Sequence, residues 1–565
     1  MTSDTPDQLL SQLEESSRRF DERDTARTAR LIARLAKRKF TDAESLIRFH
    51  ELLLFLRAYP PSARVLDEVE AALDGFARQV ERLRQAGADM TAFDYIEYSG
   101  IAGTAVTGTF SYQIARWLAG RFRERVDIDW SRHERKDRLG STFPRFVPLL
   151  EEDSLVEANI PYGAWTSAAR GRERDLAWLL RGFERLGLSD REKAELYDSL
   201  ELHIRWDLGE TPATRTRNKR RVRKIFYHTG PMIRRSEVSI EKEIDRPPLK
   251  LKKFSAREGG AILDRVREAT TVRYRELYGI TNGDPAQVVE ARVGRGVEIF
   301  LWGLGPERRL PLRAYHAGFT LKNGVPINYI EGITLFERTE LGFNTFYTFR
   351  EGETAWVYAQ VLKLLNQVVG STCFSIDPYQ IGFNNDEAID SGAFWFYRKL
   401  GFRPVRPELA RLTENEEKKI ARDRQYRTPA RQLRRFSAGH IVYELPGTRP
   451  GFWDGFQVRN LGLAVSRRMA AEFGGDAALA RAASAREVAR ALGVRPDDLN
   501  QDERRAFENL ALVLALVDDL KGWTGEEKKS LFEIIRAKAG AREEEYARLM
   551  QNHEKLREWV RRLGT

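Results

Sequence analysis

The spacing of apolar and polar residues divides the chain before any motif is considered. Up to residue 83 apolar positions recur at helical spacing. Leu31, Leu35 and Phe40 begin the pattern, a stripe over 46–56 continues it, and Val69, Leu73 and Phe76 resume it after the break at Pro60-Pro61. A helical region over 1–90 follows, and 91–210 reads as mainly helical. From 249 strand patterns take over. The stretch LKLKKF alternates as a half-buried strand does, Ile262, Val266 and Val272 mark a helix over 261–277, and VEIFLWGL supplies strand within 288–304.

Segments 313–319 and 325–335 flank Asn323-Gly324, a dipeptide suited to a two-residue hairpin because both residues tolerate positive φ. A strand over 341–349 comes next. A helix over 353–369 then carries Val357, Val361, Leu364 and Leu365. The pattern closes with a strand at 373–376, a helix over 388–400 stopped by Gly401, and strands near 404–405 and 440–445, with a charged insertion at 406–435. After 451 the spacing is helical again. Residues 510–517 are apolar all round, which predicts a buried helix, and 542–563 predicts a solvated outer helix. The fold class is α+β: a mixed-sheet domain over 249–447, mainly α-helical regions over 1–90, 91–210 and 448–565, and a linker over 211–248.

Composition narrows the chemistry. The chain has 565 residues, 42% hydrophobic and 10% aromatic, which suits several packed cores. Its formal charge is +11. Part of that excess is local: Arg215, Arg217, Lys219, Arg220, Arg221, Arg223, Lys224, Arg234 and Arg235 occur without an intervening acid, beside Phe226 and Tyr227. Basic residues mixed with aromatics grip phosphates and stack on bases, so this segment is a candidate contact for an anionic partner or nucleic acid. Its bland reading is a solvated connection. A single cysteine, Cys373, excludes a disulfide framework and a cysteine-based zinc site, and the seven histidines have no metal spacing. No metal is expected. The longest apolar run falls far short of the ~20 residues that span a bilayer, and the polar N-terminus is unlike a signal peptide. The expectation is a cytoplasmic protein without membrane contact. Gly100, Gly103 and Gly108 precede a helix, but without the spacing of a nucleotide loop; tight turns with close packing are the better reading.

The element order over 249–445 (strand, helix, several antiparallel strands, helix, strand, helix, two strands) resembles the GNAT superfamily of acyl-coenzyme A N-acyltransferases. The clearest local match is 390–402, against the family pattern Asn-x-x-Ala-x-x-x-Tyr-x-Lys-x-Gly-Phe. Ala393, Tyr397, Lys399, Gly401 and Phe402 match, and Asp390 replaces Asn. The resemblance implies acyl-CoA, acetyl-CoA for example, as co-substrate and Tyr397 as the acid for the departing thiolate. It also implies a phosphate-cradling turn at Arg350, Glu351, Gly352, Glu353, Thr354 and Ala355, where Glu353 stands in place of glycine.

The candidate base comes from pattern alone. Ile327, Tyr329, Glu331, Ile333 and Leu335 share one strand face, and a carboxylate among apolar residues is desolvated, which raises its pKa toward a useful range. Glu331 is therefore the expected base for an unknown amine acceptor, with His316 a weaker candidate. A rival from another class is a catalytically degenerate module that recognises an anionic partner such as RNA. Transfer from a charged tRNA to a peptide by a related fold is a third reading.

Overall fold

The computed structural model describes residues 5–150, 162–423 and 425–565. Residues 151–161, within the expected helical region over 91–210, lie outside them. The chain forms two compact units. The first comprises 1–231, 262–281 and 323–326; the second comprises 232–261, 282–322 and 327–565. The boundaries therefore differ from those read off composition. Most of the expected linker belongs to the first unit, and 448–565 shares a unit with the large sheet.

The first unit opens with five helices, Pro6–Ser17, Glu22–Ala36, Ala43–Ala58, Ala63–Asp74 and Phe76–Gln85. Side chains of Thr5, Asp21, Asp42 and Ser62 accept from first-turn amides and fix four of the starts. A small antiparallel sheet of β1 (Ala105–Thr109), β2 (Val126–Ile128) and β3 (His203–Asp207), in the order β1-β3-β2, then packs on an aromatic core that includes Tyr112, Phe143, Phe183, Tyr197 and Trp206.

The second unit is built on nine strands: β4 (Leu251–Lys253), β5 (Val289–Gly294), β6 (Val297–Trp302), β7 (Ala314–Lys322), β8 (Val325–Leu335), β9 (Arg338–Thr345), β10 (Cys373–Ile376), β11 (Arg403–Pro404) and β12 (Ile441–Glu444). Their order is β11-β12-β10-β9-β8-β7-β6-β5-β4. Along the chain, helix α1 (Ala256–Thr271) lies between β4 and β5, its residues from Ile262 on belonging to the first unit, and helix α2 (Thr354–Val369) lies between β9 and β10. Helix α3 (Asp386–Asp390) and helix α4 (Ala393–Arg398) follow β10, and helix α5 (Pro407–Arg422) and helix α6 (Ala430–Phe436) fill the charged insertion. The hairpin turn has Asn323 at φ 49° and Gly324 at φ 81°, as its dipeptide requires.

The β9–α2–β10 crossover makes a parallel pair in a sheet whose other recorded pairings are antiparallel. That pairing is short: Cys373 faces Arg338, Phe374 faces Thr339 and Ser375 faces Glu340. Strand β9 continues to Thr345 while β10 ends at Ile376. Residues 341–345 thus run on beyond the end of β10.

Local expectations changed in three places. The helix expected over 388–400 is broken into α3 and α4 at Gly392, whose φ of 65° an α-helix cannot contain. The apolar stretch 510–517 is not a buried helix throughout: helix Gln501–Leu514 ends within it, with Leu512 and Val513 half-buried. The last segment is docked rather than solvated. It forms helices Glu543–Asn552 and Glu554–Gly564, which bury Tyr546, Met550, Leu556, Trp559 and Val560. Glu543 accepts from the amide of Tyr315 on β7 (3.0 Å) and pairs with buried Lys538, so the docking includes a polar anchor.

Candidate active site

Helix α2 is the element around which the expected carrier site would form. Glu353, its N-cap residue, is 1% exposed. Its carboxylate does not cap the helix. It turns away to pair with Arg295, stands 3.5 Å from the ammonium of Lys322, and accepts from the amide of Ile233 at 3.1 Å. Burial pulls Lys322 down to about 7, against the opposing attraction of Glu353. The negative charge of Glu353 is therefore taken up in a buried ion cluster. The first bond into the helix runs from Val357 N–H to Glu353 O, which leaves the first turn without a side-chain cap.

The rest of the expected phosphate turn is arranged differently from the reading above. Arg350 is not a free clamp: it pairs with Glu387, lies over Tyr347 at 5.2 Å, and donates to Thr345 O at 3.4 Å. Thr354 bends back to Phe349 O and Arg350 O at 3.3 and 3.2 Å. Glu351 is exposed, Gly352 half-buried and Ala355 buried. Two other cations lie on elements that pack against α2. Ile233, bonded to Glu353, leads directly into Arg235, whose short 3-10 turn packs on α2. Burial lowers the pKa of the Arg235 guanidinium. Lys399, the C-cap of α4, has its pKa lowered by burial and then by the positive charges of Arg235 and Arg427. Thr428 bonds the Trp395 indole at 3.0 Å, which fixes Arg427 beside α4. Like charges gathered this way favour an anion.

Tyr397 is 3% exposed and packed among Tyr358, Phe396 and Phe402, with ring centroids 5.6, 5.2 and 5.5 Å away. Burial pushes its phenol up. Gly401, at φ 102°, turns the chain so that Phe402 N–H returns to Tyr397 O. Tyr358 lies on α2 and meets Phe343 of β9, so Tyr397 belongs to the α2 side of the sheet. Glu331 does not. It sits opposite Gly342, and β8 positions of the other parity meet α2, as Gly332 does near Leu365. The expected acid and base therefore lie on opposite faces. Glu331 is half-buried, accepts from the Tyr315 hydroxyl, and has its pKa raised by burial. His316, 2% exposed, lies 4.0 Å from Glu544 on the docked C-terminal helix.

The basic segment is partly neutralised within the first unit. Arg215, 3% exposed, pairs with Glu51; Arg217 pairs with Asp74 and Glu210; Lys219 pairs with Glu70. Arg221, Arg223 and Lys224 remain exposed. The glycine-rich stretch packs closely: a Cβ on Gly100 would come within 2.7 Å of Val272. The helix after it, Tyr112–Arg121, starts against carboxylates, with Glu276 accepting from the Ser111 amide at 3.1 Å and Asp198 from that of Tyr112 at 2.8 Å. That end repels anions.

One constellation had no sequence signal. Glu340 on β9, Asp377 after β10 and His440 before β12 lie with their ligating atoms within 4.8 Å of one another. They are 37 and 63 residues apart in sequence, so only strand register could bring them together. Comparison with protein-family models, with curated proteins and with solved structures finds no significant match.

Proposed function

We propose that the second unit is an N-acyltransferase that takes its acyl group from an acyl-coenzyme A, as the resemblance to the GNAT superfamily suggests. The observation that carries this reading is the start of α2, free of a side-chain cap, together with the mutually close cations Arg235 and Lys399 on elements that pack against α2, an arrangement suited to the diphosphate of the carrier. Glu353, the residue that departs from the family turn, is directed into its own ion cluster and so does not oppose the ligand. The element order of the sheet supports the same reading. In this reading the thioester arm runs from the start of α2 toward the end of β9.

In this account the amine lone pair attacks the thioester carbonyl, a C–N bond forms, and the nitrogen gives a proton to Glu331. The C–S bond then breaks and coenzyme A leaves as a thiolate. A thiolate of pKa about 8.5 leaves without a strong acid, and a phenol raised by burial is poorly matched to protonate it. We therefore assign Tyr397 to the aromatic wall rather than to proton transfer. The test is release of free thiol from acetyl-CoA in the presence of mixed amines. Wild-type protein should turn over, and the Arg235→Ala/Lys399→Ala double variant should need a roughly hundredfold higher acetyl-CoA concentration, at about tenfold per charge–phosphate contact. Equal concentration dependence for the two proteins rejects this carrier site.

A second reading rests on exposed Arg221, Arg223 and Lys224 in the first unit: a polyanion such as RNA held by salt-sensitive contacts. Binding that weakens steeply with salt, together with no thiol release, would favour it.

A further inference from the structure

The face of the sheet opposite α2 carries a polar cluster whose members are under-satisfied by one another. Register puts Ser375 beside Glu340, with Arg338 beside Cys373 on the same face. Asp377 and His440 follow the Ile376–Ile441 pair, one step beyond the β10–β12 ladder. Glu340 is 3.7 Å from Arg313, 3.9 Å from Arg338 and 3.9 Å from His440, all outside hydrogen-bond distance. His440 is 3.5 Å from Asp377, whose other oxygen accepts from the Tyr379 amide at 2.8 Å. Beneath them the Ser375 hydroxyl is fully buried with no hydrogen-bond partner, and so is Nε of Arg338, a residue 8% exposed. A buried guanidinium nitrogen and a buried hydroxyl without partners cost free energy that a ligand recovers.

The charges decide what ligand fits. Two carboxylates and an imidazole suit a divalent cation, but Arg313 and Arg338 beside Glu340 offset the negative charge that a bare dication needs. A molecule bearing both signs complements the two guanidinium groups and the two carboxylates. We propose that this cluster binds the acyl acceptor as an α-amino acid zwitterion. Arg313 and Arg338 take its carboxylate, while Glu340 and Asp377 hold its ammonium group. His440 accepts one ammonium proton and passes it to solvent, leaving the neutral amine whose attack the transferase reading requires. Glu331 lies on this same face, since Ile333, two residues along β8, is the register partner of Glu340. Diagonal neighbours of this kind are ~7–8 Å apart, within one ligand's length.

The inference rests on the transferase reading for its chemistry but not for its test. Calorimetry of the full chain without any coenzyme, against a panel of free amino acids, their amides and their decarboxylated amines, reads the site alone. At least one free amino acid should bind, with its amide and amine at least tenfold weaker, and Arg338→Gln and Asp377→Asn should each weaken it about tenfold. Circular dichroism reports whether the buried Arg338 variant folds, and the more exposed Asp377 variant keeps the test open if it does not. Equal binding of amides and amines, no binding by any free amino acid, or binding of Mg²⁺, Mn²⁺ or Zn²⁺ that Asp377→Asn abolishes, overturns the proposal. Thiol release from acetyl-CoA with decarboxylated amines only would overturn it while leaving the transferase reading intact.

Discussion

Glu353→Gln separates a structural carboxylate from one that faces a ligand. The wild-type side chain is fully buried, paired with Arg295 and 3.5 Å from Lys322. Glutamine keeps an acceptor for the Ile233 amide but removes the charge. Losing the charge-assisted bond to Arg295, whose side chain is 28% exposed and can be hydrated in part, costs about 2 kcal/mol. Lys322 adds a pH dependence. Its folded pKa of about 7 lies below the ordinary lysine value of 10.5. The unfolded chain therefore holds more protons across that window, and wild-type stability rises with pH from about 7 to 10.5. Without Glu353 the lysine pKa falls further. Above pH 7 the amine is neutral in both folded proteins and the lysine adds nothing to the difference. Below pH 7 wild type regains a proton that the variant refuses, and the cost grows by about 1.4 kcal/mol per pH unit. The variant should be less stable by about 2 kcal/mol at pH 8 and by about 3–4 kcal/mol at pH 6. Urea unfolding followed by circular dichroism at the two pH values measures both. A cost under about 1 kcal/mol, or one independent of pH, would refute the buried ion cluster.

Other outcomes follow from the same geometry. Glu331→Gln should lower turnover about a hundredfold, and wild-type activity should fall as pH drops through the raised pKa of Glu331, because the base must be ionised; a flat acid limb would remove it from the reaction. Tyr397→Phe should change turnover less than threefold, since the ring packing is retained, and a hundredfold loss in thiol-release assays would restore its role as an acid. Gly324→Ala should cost about 2–3 kcal/mol in thermal or urea unfolding, because φ is +81° and a Cβ would lie 2.1 Å from Arg220 O; a neutral effect would argue against the turn.

Sequence pattern captured what local chemistry dictates. Asn323-Gly324 announced its hairpin, 373–376 its strand, and the spacing from Val357 to Leu365 its helix. It overran where two local signals competed: Gly392 broke a helix that the aromatic run alone would have continued. It was silent where strand register decides. Glu353 reads locally only as a departure from the family turn, because nothing local shows that Arg295 and Lys322 lie beside it. Arg235 was legible only as one charge among many. Glu340, Asp377 and His440 carry no motif, and their meeting depends on β9, β10 and β12 being neighbours. Tyr397 and Glu331 each follow from local pattern, but which face of the sheet each occupies is a property of the assembled sheet.

The central claim is that the start of α2, with Arg235 and Lys399, receives the phosphates of an acyl carrier. Calorimetric titration of the full chain with coenzyme A tests it most directly. The account predicts saturable one-to-one binding that is weakened by salt and reduced about a hundredfold in the Arg235→Ala/Lys399→Ala variant. Absence of binding at millimolar coenzyme A, or affinity unchanged in that variant, would contradict it.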